Sequence, residues 1–263
     1  MLSARNVSAS LGGRPILAGV DVDVVPSELH VLVGPNGSGK STLMKVLAGE
    51  LGYAGEVTLN GRPLKYMAAH ELASTRAVLA QATSLSFPFT VREVVRLGLA
   101  SGRSGLTHDE QLSLPDLALR KVDLAGFGGR FYQELSGGEQ QRVQLARVLC
   151  QVWLPVLAGG PRLLLLDEPV DSLDIRHQLL VMEVARDFAA RGGGVLAIVH
   201  DLTLAAQFAD RVSVIDNGAI VASGDPLEVL TPEVIERVFG CAVEIGAVDG
   251  GSFRGVIPMG ARR

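Results

Sequence analysis

Short apolar runs alternate with helical patterns through most of the chain. Residues 29–33 form a mostly apolar run of strand length, and the apolar positions of residues 42–48 recur at helical spacing. Residues 163–166 and 195–199 are apolar throughout, as is typical of strands covered on both faces of a parallel sheet. Strands that alternate with helices predict an α/β fold with a mostly parallel sheet, which binds ligands at its carboxyl edge.

Three parts of the chain depart from this alternation. Residues 20–24 alternate strictly between valine and aspartate, and residues 56–61 end in an Asn-Gly turn signal, so we expect an N-terminal antiparallel β layer. The segment from about 84 to 155 is predicted to be an inserted helical subdomain of one large domain, residues 1–240. Its expected core residues include Leu117, Leu119, Val122 and Leu124. The tail, residues 241–263, contains two short runs, residues 243–248 and 252–257, which predict a small hairpin with a turn at residues 249–251.

Composition and charge exclude several classes of protein. The 263 residues carry a formal net charge of −4, which provides no basic field for a nucleic-acid partner. The first six residues lack the order of a signal peptide, and no apolar run reaches membrane-spanning length, so we expect a cytosolic location. Cys150 and Cys241 lack metal-ligand spacing and are interpreted as buried, reduced residues.

One glycine-rich stretch matches the phosphate-loop pattern G-x-x-x-x-G-K-S/T at every fixed position, between a predicted strand and a predicted helix. Its glycines let backbone N–H groups turn toward phosphate oxygens at the positive end of the helix dipole. Lys40 supplies a charge for the outer phosphates, and the Ser41 hydroxyl can bind Mg²⁺. An ordinary glycine-rich turn is the alternative, which the length of the match disfavours. The predicted nucleotide-binding residues are Gly34, Pro35, Asn36, Gly37, Ser38, Gly39, Lys40, Ser41 and Thr42.

Polar side chains follow three other predicted strands. Asp167 and Glu168 end a buried strand, so that Asp167 is suited to hold Mg²⁺ and Glu168 to act as general base on water. Gln81 ends the strand of residues 76–81, where an amide can contact both metal and water. His200 ends another buried strand, where an imidazole beside a γ-phosphate can position water. An acidic turn, an exposed amide and a core histidine are the alternatives for each residue alone.

A second anion site is predicted at the start of a later helix. Ser136 and Glu139 have the spacing of a capping box, in which each side chain bonds to the other residue's backbone N–H. Gly137 and Gly138 lie between them and expose further N–H groups at the helix start. A capping box alone would not need the two glycines.

Together these motifs resemble the ATP-binding subunit of an ABC transporter, a P-loop NTPase, over residues 1 to about 240 and in the family's order. The resemblance implies ATP and Mg²⁺ as cofactors, Gln81 as the Q-loop glutamine, Glu168 as the catalytic base and His200 as the switch histidine. The motifs that carry it are residues 34–41, Gln81, residues 135–139, residues 166–168, residues 172–174 and His200.

The resemblance also implies partners. Such subunits work as dimers, in which Ser136, Gly137 and Gly138 of one copy close on the γ-phosphate held by the other. We expect a peripheral location on the cytoplasmic face of the cell membrane, two transmembrane permease subunits, and a periplasmic or surface substrate-binding protein that acts indirectly. The loop of residues 87–89 is the candidate permease contact; packing of both its phenylalanines into their own subdomain is the alternative.

Within the superfamily the chain is most similar to ATPases of haemin importers, which implies an ATP hydrolase that powers haemin uptake. Residues 84–91, residues 140–149 and the insertion at 153–161 carry this likeness. Siderophore and cobalamin importers share the broader pattern and remain alternatives. A non-transport ABC ATPase is disfavoured because the chain has no heptads, cysteine clusters or second cassette, and a catalytically inactive regulator because Lys40 and Glu168 are both present.

Two departures from the family pattern stand out. Leu11 occupies the position where the family usually stacks adenine on an aromatic ring, and losing such a stack would cost about 1–3 kcal/mol. Residues 170–174, Val-Asp-Ser-Leu-Asp, replace the commoner Thr-Ser-Ala-Leu-Asp. The final Leu-Asp is kept, so we expect little effect.

Overall fold

The computed structural model describes residues 1–81, 87–101, 104–248 and 253–259. In this part of the chain the strands are β1 (Leu2–Leu11), β2 (Arg14–Val24), β3 (Glu28–Val33), β4 (Ala54–Leu59), β5 (Arg62–Pro63), β6 (Arg76–Leu79), β7 (Val156–Leu157), β8 (Gly160–Pro161), β9 (Leu163–Asp167), β10 (Gly194–Ile198), β11 (Arg211–Asp216), β12 (Ala219–Gly224), β13 (Val243–Val248) and β14 (Phe253–Pro258). The helices are α1 (Lys40–Leu47), α2 (Ala69–Thr75), α3 (Val91–Arg96), α4 (His108–Lys121), α5 (Gly137–Gln151), α6 (Ile175–Ala190), α7 (Leu202–Phe208), α8 (Pro226–Val229) and α9 (Pro232–Phe239).

A six-stranded sheet in the order β12-β11-β3-β10-β9-β6 forms the centre of the molecule. Every neighbouring pair is parallel except β11 and β12, so the carboxyl ends of β3, β6, β9 and β10 share one edge. The strands β3, β9 and β10 are buried at every residue, as expected for parallel strands with elements on both faces. The predicted polar residues at these strand ends are thereby brought to one place.

The N-terminal layer is a second, antiparallel sheet in the order β2-β1-β4-β5. The valine–aspartate alternation of β2 behaves as predicted, because Val20, Val22 and Val24 are buried whereas Asp21 is exposed. The buried face of this sheet packs in one apolar cluster with α1 and with Leu32 of β3. The helix that follows the phosphate loop is therefore held between the two sheets.

The helical segment and the parallel sheet share the larger apolar cluster. Buried residues of α3, α4 and α5 pack there with β9, β10 and the other face of β3. Within this segment Leu119, Val122 and Leu124 are buried, whereas the expectation that Leu117 also lies in the core is wrong. Leu117 is 37% exposed because it lies on the outer face of α4. The start of the proposed subdomain falls on residues 82–86, outside the described residues, and its division from the domain remains a prediction.

The described part of the tail contains an antiparallel pair of strands, β13 and β14. The turn assigned to residues 249–251 lies outside the described residues. The hydroxyl of Thr203 in α7 accepts a hydrogen bond from the Val256 N–H at 3.2 Å, which attaches β14 to that helix. Cys150 is buried as expected, but Cys241 is only half-buried because it lies in the surface connection between α9 and β13.

Candidate active site

The phosphate loop, residues 34–41, connects the central strand β3 to α1. Since β3 is paired on both sides and wholly buried, the loop begins from a fixed point on the carboxyl edge. The Nζ atom of Lys40 folds back over the loop and donates to the carbonyl oxygens of Gly34 and Pro35, each at 2.9 Å. Burial lowers the pKa of Lys40, and three nearby carboxylates oppose that shift. The loop thus holds a buried cation on its inner side.

The conformation of this loop suits an anionic group. Gly39 has φ 108°, and a Cβ atom there would lie 2.9 Å from the Leu17 side chain, so only glycine fits without strain. The buried hydroxyl of Ser38 has no hydrogen-bond partner among the described residues. A phosphate oxygen in the loop would provide the missing partner, since buried polar groups are nearly always paired. The residues present therefore fit a nucleotide phosphate.

Two side chains with oxygen atoms, Ser41 and Asp167, meet at the end of the loop. The Ser41 hydroxyl donates to Oδ1 of Asp167 at 3.3 Å, which joins the first turn of α1 to the end of β9. Asp167 is buried, and burial raises its pKa, with the charge of Glu168 adding to the shift. A hydroxyl and a carboxylate in this position are the oxygen donors that Mg²⁺ prefers, so the residues fit that ion as well.

Glu168 contacts the other two predicted catalytic residues, His200 and Gln81. Its Oε1 atom lies 2.8 Å from Nε2 of His200, and its Oε2 atom accepts a hydrogen bond from the Gln81 amide. The backbone of Glu168 has φ 52°, a left-handed conformation uncommon for residues other than glycine. Strained backbone of this kind is typical of functional sites, and here it accompanies a carboxylate that contacts side chains in the loops after two other strands.

The positions of His200 and Gln81 differ slightly from the prediction. The strand β10 ends at Ile198, so His200 lies two residues beyond it. The strand β6 ends at Leu79, so Gln81 lies in the loop two residues beyond it rather than at the strand end. Its exposed side chain reaches back over the carboxyl edge to Glu168 because β6 and β9 are neighbouring parallel strands. Residues 82–86, which follow Gln81, lie outside the described residues.

The second predicted anion site has the local geometry that the spacing indicated. Oε2 of Glu139 accepts from the Ser136 backbone N–H and hydroxyl, each at 2.8 Å, and Ser136 Oγ accepts from the Glu139 N–H at 3.3 Å. These hydrogen bonds lower the pKa of Glu139. Ser136 and Gly137 are exposed, and Gly138 is half-buried. Within the described ranges, no hydrogen bond or ion pair joins residues 136–139 to Lys40 or Glu168.

Two residues that the sequence did not identify as functional also take part in the site. Asp171 lies with its Oδ2 atom 3.6 Å from Nε2 of His200. Gln141 donates from its side-chain amide to the backbone carbonyl of Glu168 at 3.0 Å. The only signal for Asp171 was its departure from the family pattern, and Gln141 had none beyond its place two residues after Glu139 in α5.

The two phenylalanines of the candidate permease loop have different surroundings. Phe87 is 70% exposed, whereas Phe89 is half-buried and packs against the larger apolar cluster. Their ring centroids are 6.3 Å apart at an interplanar angle of 65°. Leu11, the residue at the usual adenine position, is exposed near the end of the β1–β2 hairpin. The roles assigned to these residues remain predictions.

Comparisons of sequence place the chain beside known proteins. The family model described as "ABC transporter" matches residues 17–171. The hemin import ATP-binding protein HmuV of Mesorhizobium japonicum is 58% identical over 259 residues, which cover 98% of each chain. The protein of the same name from Rhizobium meliloti is 54% identical over 263 residues, which cover 99% of each chain.

Comparisons of structure agree. A solved structure described as the ATP binding subunit of an ABC transporter has a TM-score of 0.74 and 26% identity, covering 91% of this chain and 93% of the other. The dimeric post-hydrolysis state of an ATP-binding cassette bound to ADP and Pi has a TM-score of 0.72 and 25% identity, covering 86% of this chain and 99% of the other. The predicted fold class is confirmed by these similarities. Among the described residues, no helix is long and apolar enough to cross a membrane.

Proposed function

This chain belongs to the ABC transporter family, and we propose that it is the ATP-hydrolysing subunit of an importer that carries haemin across the cytoplasmic membrane. The observation that carries the proposal is one open cavity at the carboxyl edge, lined by Asn36 of the phosphate loop together with Gln81, Glu168 and His200. A triphosphate held by the loop would direct its terminal phosphate into this cavity. Membership of the family gives the chain its ATPase activity, and the roles of its individual residues are our assignment.

Nucleotide binding is assigned to the phosphate loop and the first turn of α1. The buried charge of Lys40 lies where it can exchange its two backbone acceptors for phosphate oxygens. The residues Gly34, Pro35, Asn36, Gly37, Ser38, Gly39, Ser41 and Thr42 complete this group. Ser41, Gln81 and Asp167 would hold Mg²⁺, which when bound neutralises charge on the phosphates.

The hydrolytic step is assigned to the residues around Glu168. A water molecule attacks the γ-phosphorus, and as the new O–P bond forms its proton passes to the carboxylate of Glu168. The bond from the γ-phosphorus to the β–γ bridging oxygen breaks, leaving ADP and phosphate. Gln81 and His200 contact the two carboxylate oxygens of Glu168 and orient them toward the cavity. Both are therefore assigned as residues that position the base and the water.

A second copy of the chain is proposed to complete each site. Ser136, Gly137, Gly138 and Glu139 form a helix start whose first two residues are exposed, which is the kind of surface that can close on a phosphate bound elsewhere. The similar cassette solved with ADP and Pi is dimeric. ATP would then hold two copies together, and hydrolysis would release them.

The remaining partners follow from the importer assignment. We assign two transmembrane permease subunits, a periplasmic or surface substrate-binding protein that acts indirectly, and no nucleic acid. The protein would lie on the cytoplasmic face of the membrane as a peripheral subunit. The exposed ring of Phe87, in the loop that follows Gln81, supports this loop as the permease contact. The haemin cargo is supported by the printed names of relatives that match along nearly the whole chain.

The assigned base is tested by Glu168→Gln, which keeps the shape of the side chain and removes its basicity. We expect turnover to fall at least about 100-fold while the variant retains Mg-ATP and elutes as a stable dimer. Glu183→Gln, an exposed change on α6, is the matched control and should leave turnover and oligomeric state unaltered. Normal hydrolysis by Glu168→Gln would refute Glu168 as the base. ATP consumption by Lys40→Ala would refute the phosphate loop as the nucleotide site.

The cargo needs a separate experiment. Proteoliposomes are prepared with this subunit, its permease and its binding protein. They should take up haemin only when ATP is supplied on the side of the membrane that carries this subunit. A ferric siderophore and cobalamin, offered under the same conditions, serve as competitors. Uptake of either in place of haemin would assign the chain to the related importers instead.

A further inference from the structure

A second carboxylate lies beside the pair formed by Glu168 and His200. The Nε2 atom of His200 is 2.8 Å from Oε1 of Glu168 and 3.6 Å from Oδ2 of Asp171. The ring nitrogen and one oxygen of each carboxylate all lie within 4.8 Å of one another. One imidazole nitrogen therefore faces two acceptors, of which only one is the assigned base.

The loop that carries Asp171 is fixed on both sides. Gln141 of α5 donates to the carbonyl oxygen of Glu168 at 3.0 Å, and its side-chain oxygen accepts from the hydroxyl of Ser172. Val170, the residue before Asp171, is buried in the larger apolar cluster. These contacts place the carboxylate of Asp171 by the fold rather than by chance orientation of a surface side chain.

The surroundings of Asp171 combine partial burial with like charge. Burial raises its pKa, the imidazole of His200 opposes this shift, and the charge of Glu168 adds to it. The side chain remains 40% exposed and lines the same cavity as Asn36. Asp171 is thus open to the space in which hydrolysis is proposed, and it competes with Glu168 for a single N–H group.

Both carboxylate oxygens of Glu168 have protein partners, since Oε1 lies 2.8 Å from Nε2 of His200 and Oε2 accepts a hydrogen bond from the Gln81 amide. If the His200 hydrogen bond moves to another acceptor, Oε1 is left to receive the O–H group of the attacking water. A second acceptor, Oδ2 of Asp171, lies 3.6 Å from the same ring nitrogen.

We propose that Asp171 is a positioning residue that accepts the Nε2–H hydrogen bond of His200 while Glu168 takes the proton of the attacking water. The O–H bond of the water breaks, its proton goes to Glu168, and the proton of His200 stays on the ring nitrogen. This inference rests on the proposed role of Glu168. Asp171 stands where the family commonly has serine, and this proposal gives that replacement a function.

Steady-state ATPase kinetics of the full chain test the inference. Asp171→Ala should lower kcat about tenfold, the effect of one charged hydrogen bond, while KM for Mg-ATP stays within about twofold. Asp171→Asn keeps an acceptor oxygen and should recover most of the loss. Glu183→Gln removes an exposed carboxylate away from the cavity and should behave as the unaltered protein.

A double-mutant cycle separates positioning through His200 from a general structural role. In a His200→Ala background, Asp171→Ala should change kcat less than about twofold, because residues that act through one another are not additive. An equal loss in both backgrounds would overturn the inference, as would a kcat for Asp171→Ala within about twofold of the unaltered protein. Glu168→Gln is measured in the same series. If it alone abolishes turnover while the Asp171 variants do not respond, the inference fails and the proposed function stands; if it retains turnover, both fail.

Discussion

Two helix starts in this chain have the chemistry to meet a phosphate, and they are built differently. At the start of α1, Ser38 and Lys40 are buried and the lysine bonds to its own loop. At the start of α5, Ser136 and Gly137 are exposed, and the cap is closed by the reciprocal hydrogen bonds of Ser136 and Glu139. The first is part of the core of the molecule, whereas the second projects from it.

The glycines at the two starts show what this difference means. A Cβ atom on Gly34 would lie 2.2 Å from the carbonyl oxygen of Ile215, so the fold itself excludes any other residue. A Cβ atom on Gly137 would meet nothing within 4 Å. No packing within the described part of the chain requires glycine at that position. In the proposed dimer, the requirement for glycine comes from a ligand held by a second copy.

The largest effect is expected from Gly34→Ala. The added methyl would displace the β11 backbone or the phosphate loop, and overpacking of this severity costs about 3 kcal/mol. Urea unfolding should show this loss, and binding of a fluorescent ATP analogue should fall with it. Gly129→Ala, at an open position with ordinary backbone angles, is the control. A loss below about 1 kcal/mol would mean that the loop can move aside, which would weaken the contrast between the two sites.

Much of this contrast follows from the sequence. The phosphate-loop motif, the strand-end residues Asp167, Glu168 and His200, and the spacing of Ser136 and Glu139 are local patterns whose geometry depends on the backbone. Parallel strands then bring their carboxyl ends to one edge, whatever the details of packing. Such features could be predicted because each depends on neighbours in sequence or on strand order alone.

Other features depend on side chains that are distant in sequence. The contact of Asp171 with His200 joins loops 29 residues apart, and the spacing carries no sign of it. Phe87 and Phe89 are chemically alike, yet only Phe89 reaches the core, because burial depends on where the loop turns. Leu117 was misplaced for a similar reason, since the outer face of α4 was not evident from its pattern.

Gly137→Ala should have an intermediate effect, and one confined to catalysis. Alanine suits a helical position at least as well as glycine, so unfolding free energy should change by less than about 1 kcal/mol. Binding of ATP to single chains should also be unaltered. Hydrolysis should fall about tenfold, equivalent to about 1.4 kcal/mol, because in the proposed dimer the methyl would face the phosphate held by the partner copy. Unchanged hydrolysis would show that this helix start does not close on a nucleotide.

The smallest expected effect is on how the stability of the two regions depends on pH. His30 in β3 is buried, with Nδ1 2.8 Å from the Asp23 carbonyl oxygen and Nε2 2.8 Å from Ser213 Oγ. Burial lowers its pKa from 6.5 to about 4. As pH falls, the unfolded chain therefore takes up this proton first, and stability declines between about pH 6.5 and about pH 4. The pKa of Glu139 at the other helix start is lowered, so its cap keeps its charge through most of this range.

Between pH 7 and pH 5.5 the titration of His30 should reduce the free energy of unfolding by about 1 kcal/mol, and His30→Gln should abolish this part of the decline. The window stops at pH 5.5 because burial raises the pKa of the neighbouring Glu28, whose protonation would favour the folded state at lower pH. Urea unfolding at four pH values measures the slope. His70→Gln, an exposed control, should leave it unaltered. If stability declines with falling pH as steeply in His30→Gln as in the unaltered protein, then β3 tolerates a protonated His30. Burial of this residue would then not make the folded protein sensitive to acid.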